Sequence, residues 1–217
     1  MRFRNRQEAG KLLAKALELY RHDRPLVLAL PRGGVPVAAE VAQSLHAPLD
    51  LMLVRKIGVP DQPELAMGAV VEGKPPLALR NEPVIRMLAV RDRDFERVRD
   101  REIIEIERRR QAYIGGRARP DLAGRTVILV DDGIATGMTM RAAARAVATQ
   151  GATRAVIAAP VAAASVATEL RRAADRVACL NEPDDLFAIG HHYDDFTQVG
   201  DEEVRRLLMQ AAANPVA

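Results

Sequence analysis

The sequence predicts an α/β fold in which a parallel sheet is flanked by helices, within a single domain spanning residues 1–217. Three observations predict it. Short, uninterrupted apolar runs recur at strand length, which is the pattern of strands buried on both faces. Between them lie segments with helical spacing of apolar residues, so strand and helix alternate. Aromatic residues make up only 3% of the chain, with no Trp, so the core must be built from Ala, Val, Leu and Ile, a palette suited to a sheet sandwiched by helices.

Asn5 followed by Glu8 resembles a helix N-cap and its partner, and Leu12, Leu13, Ala16, Leu17 and Tyr20 continue at helical spacing. Leu26–Leu30 is an apolar strand, broken by Pro31-Arg32-Gly33-Gly34. A helix over Pro36–Leu45 and a second strand over Leu49–Val54 complete a strand–turn–helix–strand unit of right-handed βαβ type. From Arg55 to Pro76 the glycines and prolines predict loop, with one short strand at Met67–Val71. Glu82–Tyr113 reads as one charged helix. Residues 55–120 are therefore expected to form a flexible loop plus a charged helical flap, inserted in the domain. Thr126–Val130 is the next strand, and Met138–Gln150 a helix with Gly151 at its C-terminal cap. Ala155–Ala159 (strand), Ser165–Ala174 (helix), Arg176–Leu180 and Leu186–Ile189 (short strands) and Val204–Ala213 (helix) follow.

Net charge is +3, and the basic clusters near Arg91–Arg110 and Arg171 are interleaved with acids or lie on a helix, which argues against a nucleic-acid interface. Cys179 is the single cysteine, so the chain makes no internal disulfide and a reducing compartment fits. The longest apolar stretch, Ala155–Ala167, is too short to span a membrane and carries Pro160. With no apolar signal core at the N-terminus, a cytoplasmic protein with no membrane partner is expected.

In parallel sheets ligands bind at the carboxyl ends of strands, so the turns that follow strands carry the functional reading. Val127–Met140 reads VILVDDGIATGMTM. Four apolar residues lead into Asp131 and Asp132, then Gly133, Thr136, Gly137 and Thr139, and a helix begins. Main-chain N–H groups at a helix N-terminus form an anion site, and glycines let the backbone approach a phosphate. Thr136 and Thr139 add hydroxyl donors. Paired carboxylates suit a sugar diol. A phosphate cradle beside a diol clamp describes a ribose 5-phosphate site. A lone Asp-Asp pair would more often be a solvated turn; the ordered string between strand and helix is what outweighs that reading. No Lys precedes a Ser or Thr as a Walker A loop requires, and the glycine spacing does not fit a dinucleotide fingerprint.

This string resembles the binding signature for 5-phosphoribosyl-1-pyrophosphate (PRPP) of the type I phosphoribosyltransferases. Three further segments resemble that family in order: LALPRGGVP at Leu28–Pro36, its pyrophosphate loop; VRKIGVP at Val54–Pro60, the start of its mobile loop; and FAIGHHYDDF at Phe187–Phe196, which shapes the base pocket. The likeness is greatest to bacterial phosphoribosyltransferases of unassigned nucleobase. The resemblance implies that Asp131 and Asp132 bind the ribose hydroxyls and that the amides of Ala135, Thr136, Gly137, Met138 and Thr139 hold the 5-phosphate. Arg32 and Gly33 would meet pyrophosphate, across a peptide bond often cis in relatives. Arg55 and Lys56 would swing over pyrophosphate as the loop closes and offset its charge. Ile134, Phe187 and Ala188 would line the base pocket, with His191 and His192 nearby; core packing serves Phe187 equally well. Mg²⁺ is the implied cofactor, met by Asp194 through water and by Asp131 and Asp132.

The implied function is a pentosyltransferase of nucleotide salvage that moves a phosphoribosyl group from PRPP to a nitrogen nucleophile, releasing pyrophosphate. The polar helix and the loop before it would cover the site, and family habit implies a homodimer. Two features depart from the 6-oxopurine enzymes: Ala135 stands where they carry an Asp, and no Lys follows Ala155–Ala159 to recognise a 6-oxo group. A PRPP- or nucleotide-binding regulator of the same fold, with no chemistry, is the alternative.

Overall fold

The computed structural model describes residues 1–213. Five parallel strands form the central sheet in the order β2-β1-β6-β7-β8, with β1 Leu26–Ala29, β2 Leu49–Leu51, β6 Thr126–Val130, β7 Arg154–Val161 and β8 Arg176–Asn181. Side chains alternate along these strands between two cores. Val27, Ala29, Ile128, Val130, Val156 and Ala158 enter one; Leu28, Val127, Leu129, Ile157 and Ala159 enter the other. That explains the unbroken apolar runs, since neither face meets water.

The first core is covered by α1 (Arg6–Leu17), α2 (Gly34–Leu45) and α7 (Asp201–Ala213). Asn5 caps α1, its side-chain oxygen accepting from the Glu8 N–H at 3.0 Å. The second core is closed by α5 (Met138–Thr149) and α6 (Ala164–Leu170). Gly151 takes φ +81° just past α5.

The segment expected to be loop with one short strand at Met67–Val71 has that strand, but as part of a three-stranded sheet. β3 (Val54–Val59), β4 (Gln62–Val71) and β5 (Leu77–Arg80) pair antiparallel, with a register irregularity at Gly58. Its glycines and prolines mark a bulge and a strand entry, where such residues are tolerated. α5 packs on this small sheet, and Ala69 and Val71 join its core. The long helix is also interrupted: α3 (Glu82–Met87) and α4 (Asp92–Ile114) are separated by a turn in which Ala89 adopts φ +48°.

α4 is no loosely attached cover. Phe95, Val98, Ile106 and Tyr113 are buried in the first core, on the same stripe as Glu102 and Arg110. Those two charged residues hide the stripe from a hydropathy reading, and both are internally paired. Arg110 donates to Glu72 at 2.9 Å, and Arg55 to Glu102 at 2.8 Å. Glu72 is a hub, accepting from the Leu53 N–H at 2.8 Å and from Arg119 at 3.1 Å as well. Burial pushes its carboxyl above the ordinary value, even against these guanidiniums.

Leu186–Ile189 forms no strand. It is a loop that ends in a 3₁₀ turn at Ile189–His192. The chain then runs back beside its own beginning: Phe3 bridges Tyr193, the Phe3 N–H donates to the His192 carbonyl at 2.8 Å, and the Asp194 N–H donates to that of Phe3 at 2.8 Å. Cys179 in β8 is half-buried, and burial pushes its thiol up to about 11, so it is protonated at neutral pH. No helix among the described residues is long and apolar enough to cross a membrane.

Candidate functional site

β1 and β6 are neighbours in the sheet, yet the chain leaves β1 toward β2 on one side and β6 toward β7 on the other. This is the point where strand order reverses, and loops leaving the carboxyl ends of such strands diverge to open a crevice. The turns Pro31–Gly34 and Asp131–Gly137 flank it. A cleft of about 400 Å³ lies there, lined by Arg6, Pro31, Arg32, Gly33, Asp131, Asp132, Phe196, Gln198 and Val199.

The two turns touch closely. A Cβ on Gly33 would overlap the Asp132 carboxylate, and one on Gly34 would come within 2.6 Å of the Val130 carbonyl oxygen. Only hydrogen fits at either position. The cis peptide lies between Pro31 and Arg32, one bond before the one expected. The resemblance makes this turn a pyrophosphate loop, and on that expectation Gly33→Ala should weaken pyrophosphate binding by at least about tenfold, because the carboxylate or the turn must move for the methyl group to fit. Titration calorimetry with pyrophosphate checks this, and unchanged affinity would mean the turn takes no part in binding.

The two acids are not equivalent. Asp132 is buried, and its carboxylate accepts from Arg6 Nε at 2.7 Å while its carbonyl accepts from the Tyr193 hydroxyl at 2.6 Å. Asp131 is more open, and one of its oxygens accepts from the Asp132 N–H at 2.8 Å. Burial, and then the neighbouring Asp132 charge, hold the Asp131 carboxyl well above the usual carboxylate range. Next along the chain, Ala135 and Thr136 are exposed, Gly137 takes φ +70°, and Met138 and Thr139 open α5. The first N–H groups of that helix have no partner within it, which leaves them facing an incoming anion.

Other expected site residues are dispersed. Arg55 is bonded to Glu102 on α4, and the Lys56 ammonium to the Glu64 carbonyl at 2.8 Å; neither lines the cleft. Ile134 is packed in the second core. Phe187 is 89% exposed on the loop after β8, and the exposed Ala188 follows it. Phe196 is the aromatic side chain that lines the cleft. Asp194 turns its carboxylate to Arg2 at 2.7 Å. Among the described residues no group of three His, Cys, Asp or Glu side chains is set to hold a metal. A Mg²⁺ ion that keeps waters and shares substrate oxygens needs only one or two carboxylates, and the open Asp131 fits that demand. Asp201 ties Arg32 to the flank of the cleft: it accepts from Arg32 at 3.4 Å and from the Tyr113 hydroxyl at 2.8 Å.

Sequence reading missed Arg6, Tyr193 and Phe196. Arg6 lies more than a hundred positions from the acidic pair, on what reads as an ordinary amphipathic helix. Only its place on the buried side of that helix, among Ala9 and Leu13, hints at an inward role.

A family model described as phosphoribosyl transferase domain matches residues 4–195. Two relatives named "Putative phosphoribosyl transferase", from Mycobacterium tuberculosis strains CDC 1551 and H37Rv, are each 43% identical over 209 residues, which is 96% of this chain and 47% of the relative. The chain thus spans about half the length of the curated relatives it matches. Among solved structures, that of the TT1426 protein from Thermus thermophilus is 42% identical and superposes with a TM-score of 0.83, covering 97% of this chain and 99% of that one.

Proposed function

This chain belongs to the phosphoribosyl transferase family, and we propose that it binds PRPP with Mg²⁺ in the crevice between β1 and β6 and transfers the phosphoribosyl group to a nitrogen nucleophile. The observation that carries this reading is the convergence of the two turns on one cleft: the glycine pair of one packs against the acidic pair of the other. The 5-phosphate lies at the start of α5, against the N–H groups of Gly137, Met138 and Thr139. The ribose hydroxyls donate to Asp131, and Asp132 backs that carboxylate. Pyrophosphate lies along Pro31–Gly33, with Arg32 beside it.

In the reaction the bond from the anomeric carbon to pyrophosphate breaks, and pyrophosphate leaves with the electron pair. The nitrogen lone pair forms the new bond, and the proton on that nitrogen passes to solvent. Mg²⁺ at Asp131 would supply charge neutralisation on the departing pyrophosphate. The protein's own residues hold the ribose and phosphate in line and narrow the access of water.

One observation favours a second reading, a PRPP-binding regulator without chemistry. The two cations expected to stabilise the leaving group, Arg55 and Lys56, are both paired with acids outside the cleft. Phosphorus NMR of the protein with PRPP, Mg²⁺ and pooled nucleobases separates the two. Pyrophosphate release that depends on one base is the expected result and names the acceptor. PRPP resonances that broaden while the compound stays intact would establish the regulator instead. Unperturbed PRPP resonances would overturn both readings.

A further inference from the structure

The Arg6 guanidinium is bonded to the acidic pair, which it reaches from a position 126 residues earlier in the chain. Resting on the PRPP reading above, we propose that Arg6 is a positioning residue: it fixes the Asp132 carboxylate, and through it the acidic pair, in the arrangement that receives ribose.

The contacts around the Arg6–Asp132 bond support this. Arg6 Nε donates to Asp132 Oδ2 at 2.7 Å, and one of its terminal nitrogens to the Thr197 carbonyl at 2.8 Å. Its guanidinium carbon lies 3.9 Å from the centre of the Phe196 ring, so the flat group is stacked as well as bonded. Tyr193, itself stacked on Phe196 with ring centres 5.0 Å apart, holds the Asp132 carbonyl. On its remaining side the carboxylate meets Gly33. Asp132 therefore has no free rotation. Asp131, which receives the Asp132 N–H, inherits that order.

Electrostatics point the same way. Two carboxylates on adjacent residues repel, and both are partly withdrawn from water. Arg6 places a counter-charge directly on Asp132, which offsets that repulsion and lets the pair keep its geometry. Both members of the Arg6–Asp132 bridge are about nine-tenths covered. A buried bridge of this kind adds little net stability relative to apolar packing, which makes a positional role the better account of its presence. The same side chain, with Gln198 and Val199, also lines a smaller polar cavity of about 100 Å³ beside Asn5, Asp195 and Glu203. Arg6 thus lies, with Gln198 and Val199, between that cavity and the cleft. Arginine suits the task and lysine does not, because one planar group must span two acceptors and a ring.

The test is a double-mutant cycle read by calorimetric titration of the intact chain with PRPP and Mg²⁺. Arg6→Gln is expected to weaken PRPP by roughly tenfold to a hundredfold, the range for a lost hydrogen bond to a charged group. Arg6→Lys, which keeps charge without the fork or stack, should restore only part of the affinity. In an Asp132→Asn background, adding Arg6→Gln should cost less than about twofold, because a residue that acts through Asp132 has nothing left to position. Additive losses would overturn the proposal in favour of direct ligand contact. Unchanged affinity in Arg6→Gln with a lowered melting temperature would overturn it in favour of a staple between the chain ends. Where Arg6→Gln does not fold, Phe196→Leu removes the ring under Arg6; a severalfold weaker PRPP that is lost in the Asp132→Asn background supports the proposal, while unchanged affinity, or a loss that persists in that background, overturns it. A wild-type chain that does not bind PRPP overturns the underlying reading as well, whereas wild-type binding with indifferent variants overturns only the role of Arg6.

Discussion

Asp131→Asn is expected to weaken PRPP binding by roughly tenfold to a hundredfold without loss of the folded state, since it turns one acceptor oxygen into a donor, and leaving a polar group unpaired costs about 1–3 kcal/mol. The single substitution is the informative one. The Asp131 carboxylate accepts one hydrogen bond within the protein, from its neighbour's N–H, and an amide oxygen can accept that bond equally well. Asp132 is different: its carboxylate partners the buried Arg6, and neutralising it strands a guanidinium. A double substitution would therefore mix lost binding with lost stability. Calorimetry with PRPP and Mg²⁺, beside thermal melts of the same samples, separates them. A loss of affinity at constant melting temperature assigns the ribose hydroxyls to Asp131. Constant affinity would place the diol elsewhere and remove the main support for PRPP as ligand.

Glu72→Ala is expected to produce the largest change in stability, a loss of about 3–5 kcal/mol, because it leaves buried charge without a partner. Glu72 joins the Leu53 amide, Arg110 of α4 and Arg119 of the linker to β6. One terminal nitrogen of Arg110 is already without a hydrogen-bond partner, and sits 3.9 Å from Asp50. Removing the glutamate would leave a second donor of the same side chain bare. Urea unfolding measures the effect as a lower midpoint at unchanged slope. Glu72→Met combined with Arg110→Met should recover most of the loss, since apolar side chains of similar volume often replace a buried pair without penalty. A Glu72→Ala loss below about 1 kcal/mol would show that water reaches the cluster and that α4 is held by its apolar stripe alone.

The central sheet was legible because its strands are buried on both faces. Unbroken runs such as Leu26–Leu30 and Thr126–Val130 have no other common explanation in a chain with helical patterns between them. The acidic turn was legible for a similar reason: strand, acids, glycines, hydroxyls and helix stand contiguously. Of the β3–β5 sheet only Met67–Val71 was legible, because Gly58, Pro60 and Pro63 punctuate the rest at a bulge and a turn, where they cost a strand little. The buried stripe of α4 was obscured by Glu102 and Arg110, whose partners Arg55 and Glu72 lie on other elements. Arg6, Tyr193 and Phe196 were out of reach for a more basic reason. Their meaning arises only when the two ends of the chain lie side by side, and local spacing carries no record of that. Phe187, singled out by resemblance, faces solvent, while Phe196 at the end of the same segment lines the cleft.

The pairing of Phe3 and Arg6 with the stretch around Tyr193 and Thr197 also sets an order in time. Arg6 leaves the ribosome well before its partner, since the carbonyl it bonds belongs to a residue 191 positions later. All the strands of the central sheet are complete by Asn181, so a nascent chain can assemble its scaffold while one wall of the cleft is still unsynthesised. Contacts of such long sequence separation form late and are the slow part of folding. During translation the acidic pair therefore lacks its contacts with Tyr193 and with the Arg6–Thr197 wall until residues 192–199 emerge to pair with residues 3–6.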